Sequence, residues 1–147
     1  MKHALLHGGI SHIDTSPFFR NQVSESTFAQ VLRTLISKYG FDRRQFFISS
    51  KHGYISAIDE MQDMPSSVEV QELMSRESIK DKDFWIVQGE TEEDKRYLFS
   101  MHPRWLEHSI MKSLSRLNIE TLDCVYLMDP IECGMSMYHR DYERVKK

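Results

Sequence analysis

Two charged residues stand where predicted β-strands end, and together they could form an ion pair in a cleft. Asp14 closes the segment 10–14, and Lys51 follows the apolar segment 46–50. Parallel α/β folds gather their functional groups at the carboxyl ends of the strands. An aspartate and a lysine on neighbouring strands would meet there. On residue type alone, we expect a solvated pair at the rim of the sheet, of small energetic value.

The elements that must position these residues alternate between strand and helix. Apolar positions at helical spacing predict one helix from Ser24, its proposed N-cap, to Gly40, and another that starts at Pro103. Short apolar runs predict strands at 10–14, 46–50 and 124–128, the last of them buried on both faces. This alternation predicts βα units and a parallel sheet, and hence an α/β fold.

The segments between these elements are less regular. Residues 52–102 lack strong periodicity, and we interpret them as a long loop excursion, functional or partly mobile, within a single domain of residues 1–147. Arg43 and Arg44 are expected to be solvated charges. The tail from 138 to 147 is interpreted as the start of a charged helix.

The composition excludes several classes of protein. The chain has 19 basic and 22 acidic residues, and its net charge is −3. Because it lacks an excess of basic residues, we expect no nucleic-acid partner. The apolar runs are far too short to cross a bilayer, which predicts no membrane partner. Cys124 and Cys133 make neither a disulfide framework nor a zinc quartet, and no pair of histidines stands with a carboxylate, so we expect no metal site. A reducing cytoplasm is the expected compartment.

Several segments, in order along the chain, resemble an aldo-keto reductase. They are GISHIDTS at 9–16, SE at 24–25, ISSKHG at 48–53, SIMKSLSRL at 109–117 and LDCVYL at 122–127. Each piece alone is weakly specific, whereas their order and spacing over the whole chain are specific. The resemblance implies a (β/α)8 TIM barrel and carbonyl reduction with NADPH.

The resemblance also implies a catalytic tetrad, of which this chain has half. The family uses an Asp after the second strand, a Tyr five residues later, a Lys after the third strand and a His after the fourth. Asp14 and Lys51 stand at the Asp and Lys positions. Phe19 occupies the Tyr position and Met128 the His position, so the proton donor and the group that orients the carbonyl are replaced. Tyr54 is a hypothetical substitute donor.

The length implies a partial barrel. A closed (β/α)8 barrel needs about 250 residues, whereas this chain has 147. We therefore expect about three parallel strands with flanking helices and a long inserted loop. The family's cofactor is NADP, but the segments that hold it are missing from the resemblance, and no glycine-rich phosphate loop replaces them. The expectation is that this chain does not bind NADPH in the family's usual manner.

Three interpretations of the function follow. The first is a truncated, catalytically inactive aldo-keto reductase-like protein. The second is an interaction module, a homodimerising partial barrel or one that docks on another protein, because open sheet edges and apolar inner faces recruit partners. The third is a fragment of a working NADP-dependent oxidoreductase. The first is preferred, and the second is compatible with it.

Overall fold

Helices and strands alternate along most of the chain. A computed structural model describes residues 2–55, 60–61, 64–65, 68–88 and 96–130. The helices are α1 (Lys2–His7), α2 (Val23–Tyr39), α3 (Val68–Glu77) and α4 (Pro103–Leu117). The strands are β1 (His12–Thr15), β2 (Phe47–His52), β3 (Glu60–Met61), β4 (Met64–Pro65), β5 (Trp85–Gln88), β6 (Arg96–Phe99) and β7 (Cys124–Leu127), and short 3₁₀ turns lie at Arg43–Gln45 and Asp81–Asp83. The predicted tail helix and Cys133 lie outside the described residues.

The chain divides into two compact units. The first comprises Met1–His52 and His108–Tyr126, and the second comprises Gly53–Glu107 and Leu127–Lys147. Each unit has a buried apolar cluster of its own. Among the described residues, no helix is both long and apolar enough to cross a membrane.

The sheet of the first unit has the order β1-β2-β7. Strands β1 and β2 run parallel, with Asp14 opposite Ser49. The prediction of an α/β fold with three parallel strands and flanking helices is therefore confirmed. The strand bounds differ from the predicted ones: β1 starts at His12, which pairs with Phe47 at the start of β2, and the Phe47 amide donates to the Ser11 carbonyl at 2.8 Å.

Helix α2 packs on this sheet through its apolar stripe. Its buried positions and those of the surrounding core are Leu5, Ile13, Phe28, Leu32, Leu35, Phe46, Ile48 and Leu117. The helix ends at Gly40, whose φ of 72° is the left-handed conformation typical of a C-cap. The prediction of Ser24 as N-cap is wrong. Gln22 is the cap residue, without a side-chain cap bond, and the Ser24 hydroxyl lies 3.1 Å from the Thr15 hydroxyl instead.

Strand β7 was predicted to be buried on both faces, but its side chains are largely exposed. Val125, Tyr126 and Leu127 are 43%, 47% and 37% exposed, and Cys124 is half-buried. In the described sheet β7 stands at an edge, with β2 as its neighbour. An apolar run predicts that a segment needs burial, but only the tertiary structure decides whether neighbours provide it.

The second unit also differs from its prediction, because the excursion over 52–102 is structured where it is described. Helix α3 and the antiparallel pair β5/β6 contribute to its own core, which comprises Ile55, Val70, Leu73, Met74, Ile79, Phe84, Leu98 and Trp105. Gly53 has a φ of 124°, and a Cβ there would lie 2.3 Å from the Phe99 ring. A glycine is therefore required where the chain enters this unit.

Candidate active site

Asp14 and Lys51 form an ion pair, as their places at neighbouring strand ends predicted. Lys51 Nζ donates to Asp14 Oδ2. The two side chains are 28% exposed for Lys51 and 38% exposed for Asp14, so solvent reaches the pair. Their parallel strands bring the two residues side by side although 37 positions separate them in the sequence. Their catalytic roles remain predictions from the resemblance.

A row of polar side chains extends from the pair along the same face of the sheet. Ser49 Oγ donates to Asp14 Oδ1 at 2.8 Å, and His12 Nε2 lies 3.2 Å from Ser49 Oγ. Alternation along β1 and β2 places these residues on one face. Ser49 is fully buried, so its hydroxyl fixes the carboxylate from the closed side while Lys51 holds it from the open side.

Phe19 lies beside the ion pair, at the place where the resemblance puts a tyrosine. Lys51 Nζ is 5.1 Å from the centroid of its ring, within the range of a cation–π contact. The segment before it is held by Ser16, whose hydroxyl donates to the Lys51 carbonyl at 2.8 Å and accepts from the Phe18 amide at 3.1 Å. A ring therefore occupies the tyrosine position, but it has no hydroxyl to donate a proton.

Strand β7 contributes one residue to this face that the sequence patterns did not single out. The hydrogen bond with Cys124 and then the charge of Cys124 raise the pKa of the Tyr126 phenol most, and desolvation and the negative charge of Asp14 add smaller contributions. The sequence could have indicated Tyr126, because it stands two positions before Met128 and alternate residues of a strand share a face. Met128 itself follows β7, is half-buried and has no proton to transfer.

Arg43 and Asp123 attach β7 to β2. Arg43 Nη2 donates to Asp123 Oδ2 at 2.7 Å and to the Thr121 carbonyl at 2.8 Å. The same carboxylate oxygen accepts from the Ile48 amide at 2.8 Å, and this bond is the main reason why the pKa of Asp123 is lowered. The expectation that Arg43 is only a solvated charge is wrong, because its side chain is 22% exposed and its guanidinium is bonded to Asp123 and Thr121.

A buried ion pair joins two of the segments that carry the family resemblance. Arg116 Nε donates to Glu25 Oε2 at 2.7 Å, and the Glu25 side chain is fully buried. Ser50 Oγ donates to the other carboxylate oxygen at 3.3 Å. This pair holds α2 and α4 to the strand that carries Lys51, so it supports the site without belonging to it.

Tyr54, the hypothetical substitute proton donor, is a buried residue. It is 8% exposed, its ring packs edge-on against Phe99 at a centroid distance of 5.2 Å, and it belongs to the second unit. The sequence left its direction open on a loop, whereas the structure fixes it in a β-bridge with Phe99. Its part as a substitute donor stays a prediction.

Positive charge is sparse on the three parallel strands. Lys51 is the one ammonium or guanidinium cation on strands β1, β2 and β7, and it is already paired with Asp14. Within the described part of the chain, no three His, Cys, Asp or Glu side chains cluster as a closed metal site would require. What the strand ends offer is therefore a neutralised ion pair beside an aromatic ring.

Comparison with known proteins identifies the family of the chain. The model of the Aldo/keto reductase family matches residues 1–133 of the 147, a stretch that contains Asp14, Phe19, Lys51 and Met128. A search of curated proteins finds no match. The match spans both units and all three parallel strands. The chain therefore belongs to the aldo/keto reductase family.

Proposed function

We propose that this chain is a non-catalytic member of its family, one that does not reduce carbonyl groups with NADPH. The observation that carries the proposal is the Phe19 ring beside Lys51. In the family's reaction a lysine ion pair serves to tune a tyrosine acid. In this chain the ion pair is present and a ring without a hydroxyl stands next to it.

The missing acid has a large expected effect on rate. A positioned general acid contributes about 10²–10⁴-fold to catalysis. Tyr126 does not replace it, because the raised pKa of its phenol makes it a weaker acid at neutral pH. Met128 at the His position removes the group that would orient a carbonyl. Two of the four tetrad positions, those of the Tyr and the His, therefore hold residues that cannot do the family's chemistry.

The cofactor supports the same proposal. On the three parallel strands Lys51 is the one ammonium or guanidinium cation, and the resemblance assigns it to the tyrosine and not to a phosphate. A chain that does not hold NADPH cannot transfer its hydride, whatever the acid. Retention of the Asp14–Lys51 pair is compatible with inactivity, because removal of either partner would leave a partly buried charge without its counter-ion.

The test is NADPH binding and aldehyde-dependent NADPH oxidation by the purified chain, with Lys51→Met as the matched control. We expect no saturable change in NADPH fluorescence and the same background oxidation in both proteins. Phe19→Tyr/Met128→His then locates the defect: a gain in rate assigns it to the two side chains, and no gain assigns it to cofactor binding. Aldehyde-dependent oxidation by the unmodified chain that Lys51→Met lacks would refute the proposal.

A second candidate is an interaction module that uses the sheet. Phe47 is 44% exposed and Tyr126 47% exposed on the strands, and Val125 is exposed as well. Exposed apolar residues on an edge strand favour association, with a second copy or with another protein. The oligomeric state in solution tests this candidate, and a monomer at high concentration counts against self-association.

A further inference from the structure

Two imidazoles stand together on one face of α1. His3 and His7 are four positions apart, and such positions lie one above the other on a helix. Their ring centroids are 4.8 Å apart, with the ring planes inclined by 50°. Both side chains are exposed. Imidazole nitrogen is the commonest protein ligand for metal ions, so the pair presents two such ligands to solvent at once.

The core holds the helix that carries the pair. Leu5, on the face away from solvent, is 5% exposed and belongs to the core of the first unit, and Leu6 packs against the same cluster. The Gly8 amide donates to the Ala4 carbonyl at 2.8 Å and closes the last turn. Because the backbone between the two histidines is fixed, a metal ion bound by one imidazole has the other within reach.

We propose that His3 and His7 form a bidentate surface site for a divalent transition-metal ion, with Cu²⁺ bound most tightly. A pair of imidazoles suits Cu²⁺, Ni²⁺ and Zn²⁺, whereas Mg²⁺ and Ca²⁺ prefer oxygen ligands. Metal–nitrogen bonds are about 2.0–2.1 Å long, and rotation of two exposed side chains brings their nitrogens to one ion. Water or a further ligand completes the coordination.

This site is separate from the sheet face that carries Asp14 and Lys51, and it does not depend on the proposed function. The expectation of no metal site was based on the absence of a carboxylate beside any histidine pair. A chelate of two imidazoles needs no carboxylate. The helical register, which the structure shows, is what brings the two rings together.

The test is calorimetric titration of the purified chain with CuCl₂ at neutral pH, with the α-amino group acetylated so that it cannot bind Cu²⁺ together with His3. We expect one equivalent to bind, and His3→Ala and His7→Ala each to weaken that binding by roughly 100-fold, because either change removes the advantage of a chelate. The double variant should lose less affinity than the sum of the two single losses, because the first substitution already removes the advantage of the chelate. Alanine is the best helix former, so α1 is retained. His12→Ala, a histidine on the sheet, is the matched control and should bind Cu²⁺ as the unmodified chain does.

Several results would overturn the proposal. They are no saturable Cu²⁺ binding by the folded chain, unchanged affinity in either single variant, or additive losses that indicate two independent monodentate sites. A second measurement follows the folded state: Cu²⁺ should raise the unfolding midpoint of the unmodified chain and have little effect on the single variants, because only the folded helix presents the chelate. Ni²⁺ and Zn²⁺ should bind more weakly than Cu²⁺.

Discussion

Replacing Arg116 with methionine should strongly destabilise the first unit. The change removes the cation that faces the fully buried Glu25 carboxylate, together with the bonds from the guanidinium to Gln22 at 3.2 Å and to Ser113 at 3.1 Å. Of the polar contacts of Glu25, the one from Ser50 remains. Water cannot replace the lost cation, because the Glu25 side chain has no exposed surface.

The magnitude follows from the burial of the pair. Leaving one partner of a buried ion pair without its counter-charge costs about 3–5 kcal/mol. With a urea slope of about 2 kcal/mol/M, that loss lowers the unfolding midpoint by about 2 M. A domain whose stability exceeds this loss, within the ordinary range of about 5–15 kcal/mol, would still be folded in the absence of urea. The measurement is urea unfolding followed by circular dichroism.

Two further variants separate this explanation from a general loss of surface charge. Arg104 makes exposed ion pairs with Glu107 and Glu77, so Arg104→Met should leave the midpoint unchanged. Glu25→Met/Arg116→Met removes both buried charges and should recover most of the loss. If Arg116→Met unfolds at the same urea concentration as Arg104→Met, the reasoning about the buried pair is refuted.

Two other predictions concern pH and association. Burial, and then the positive charge of Arg116, lower the pKa of His52 from 6.5 to about 4. The unfolded chain therefore binds a proton that the folded chain does not between these values, and stability should fall as the pH falls below about 6.5, by ~2 kcal/mol at pH 5. Urea unfolding of His52→Asn should lack this part of the pH dependence, and an identical slope in both proteins would contradict the assignment. If the sheet edge self-associates, Val125→Lys should shift sedimentation towards monomer, whereas Val68→Lys, at a position that is 75% exposed on α3, should not. Equal effects of the two substitutions would exclude β7 as the interface.

Local patterns were sufficient for the elements and for the central ion pair. The apolar spacing behind Ser24 predicted α2, and Pro103 marked the start of α4, because helical periodicity and first-turn preferences are properties of neighbouring residues. Asp14 and Lys51 could be paired in advance because parallel strands end at the same edge of a sheet. Phe19 was placed by its spacing in the family motif, and the structure brings it to Lys51.

The tertiary structure alone decided what lies across long stretches of sequence. The partners Glu25 and Arg116 are 91 positions apart, and no local pattern distinguishes a buried pair of this kind from two solvated charges. The exposure of β7 and the separate core of the excursion likewise depend on which elements stand beside them. Side-chain type and period determine what a segment can form, whereas burial and pairing are determined by neighbours that only the folded chain supplies.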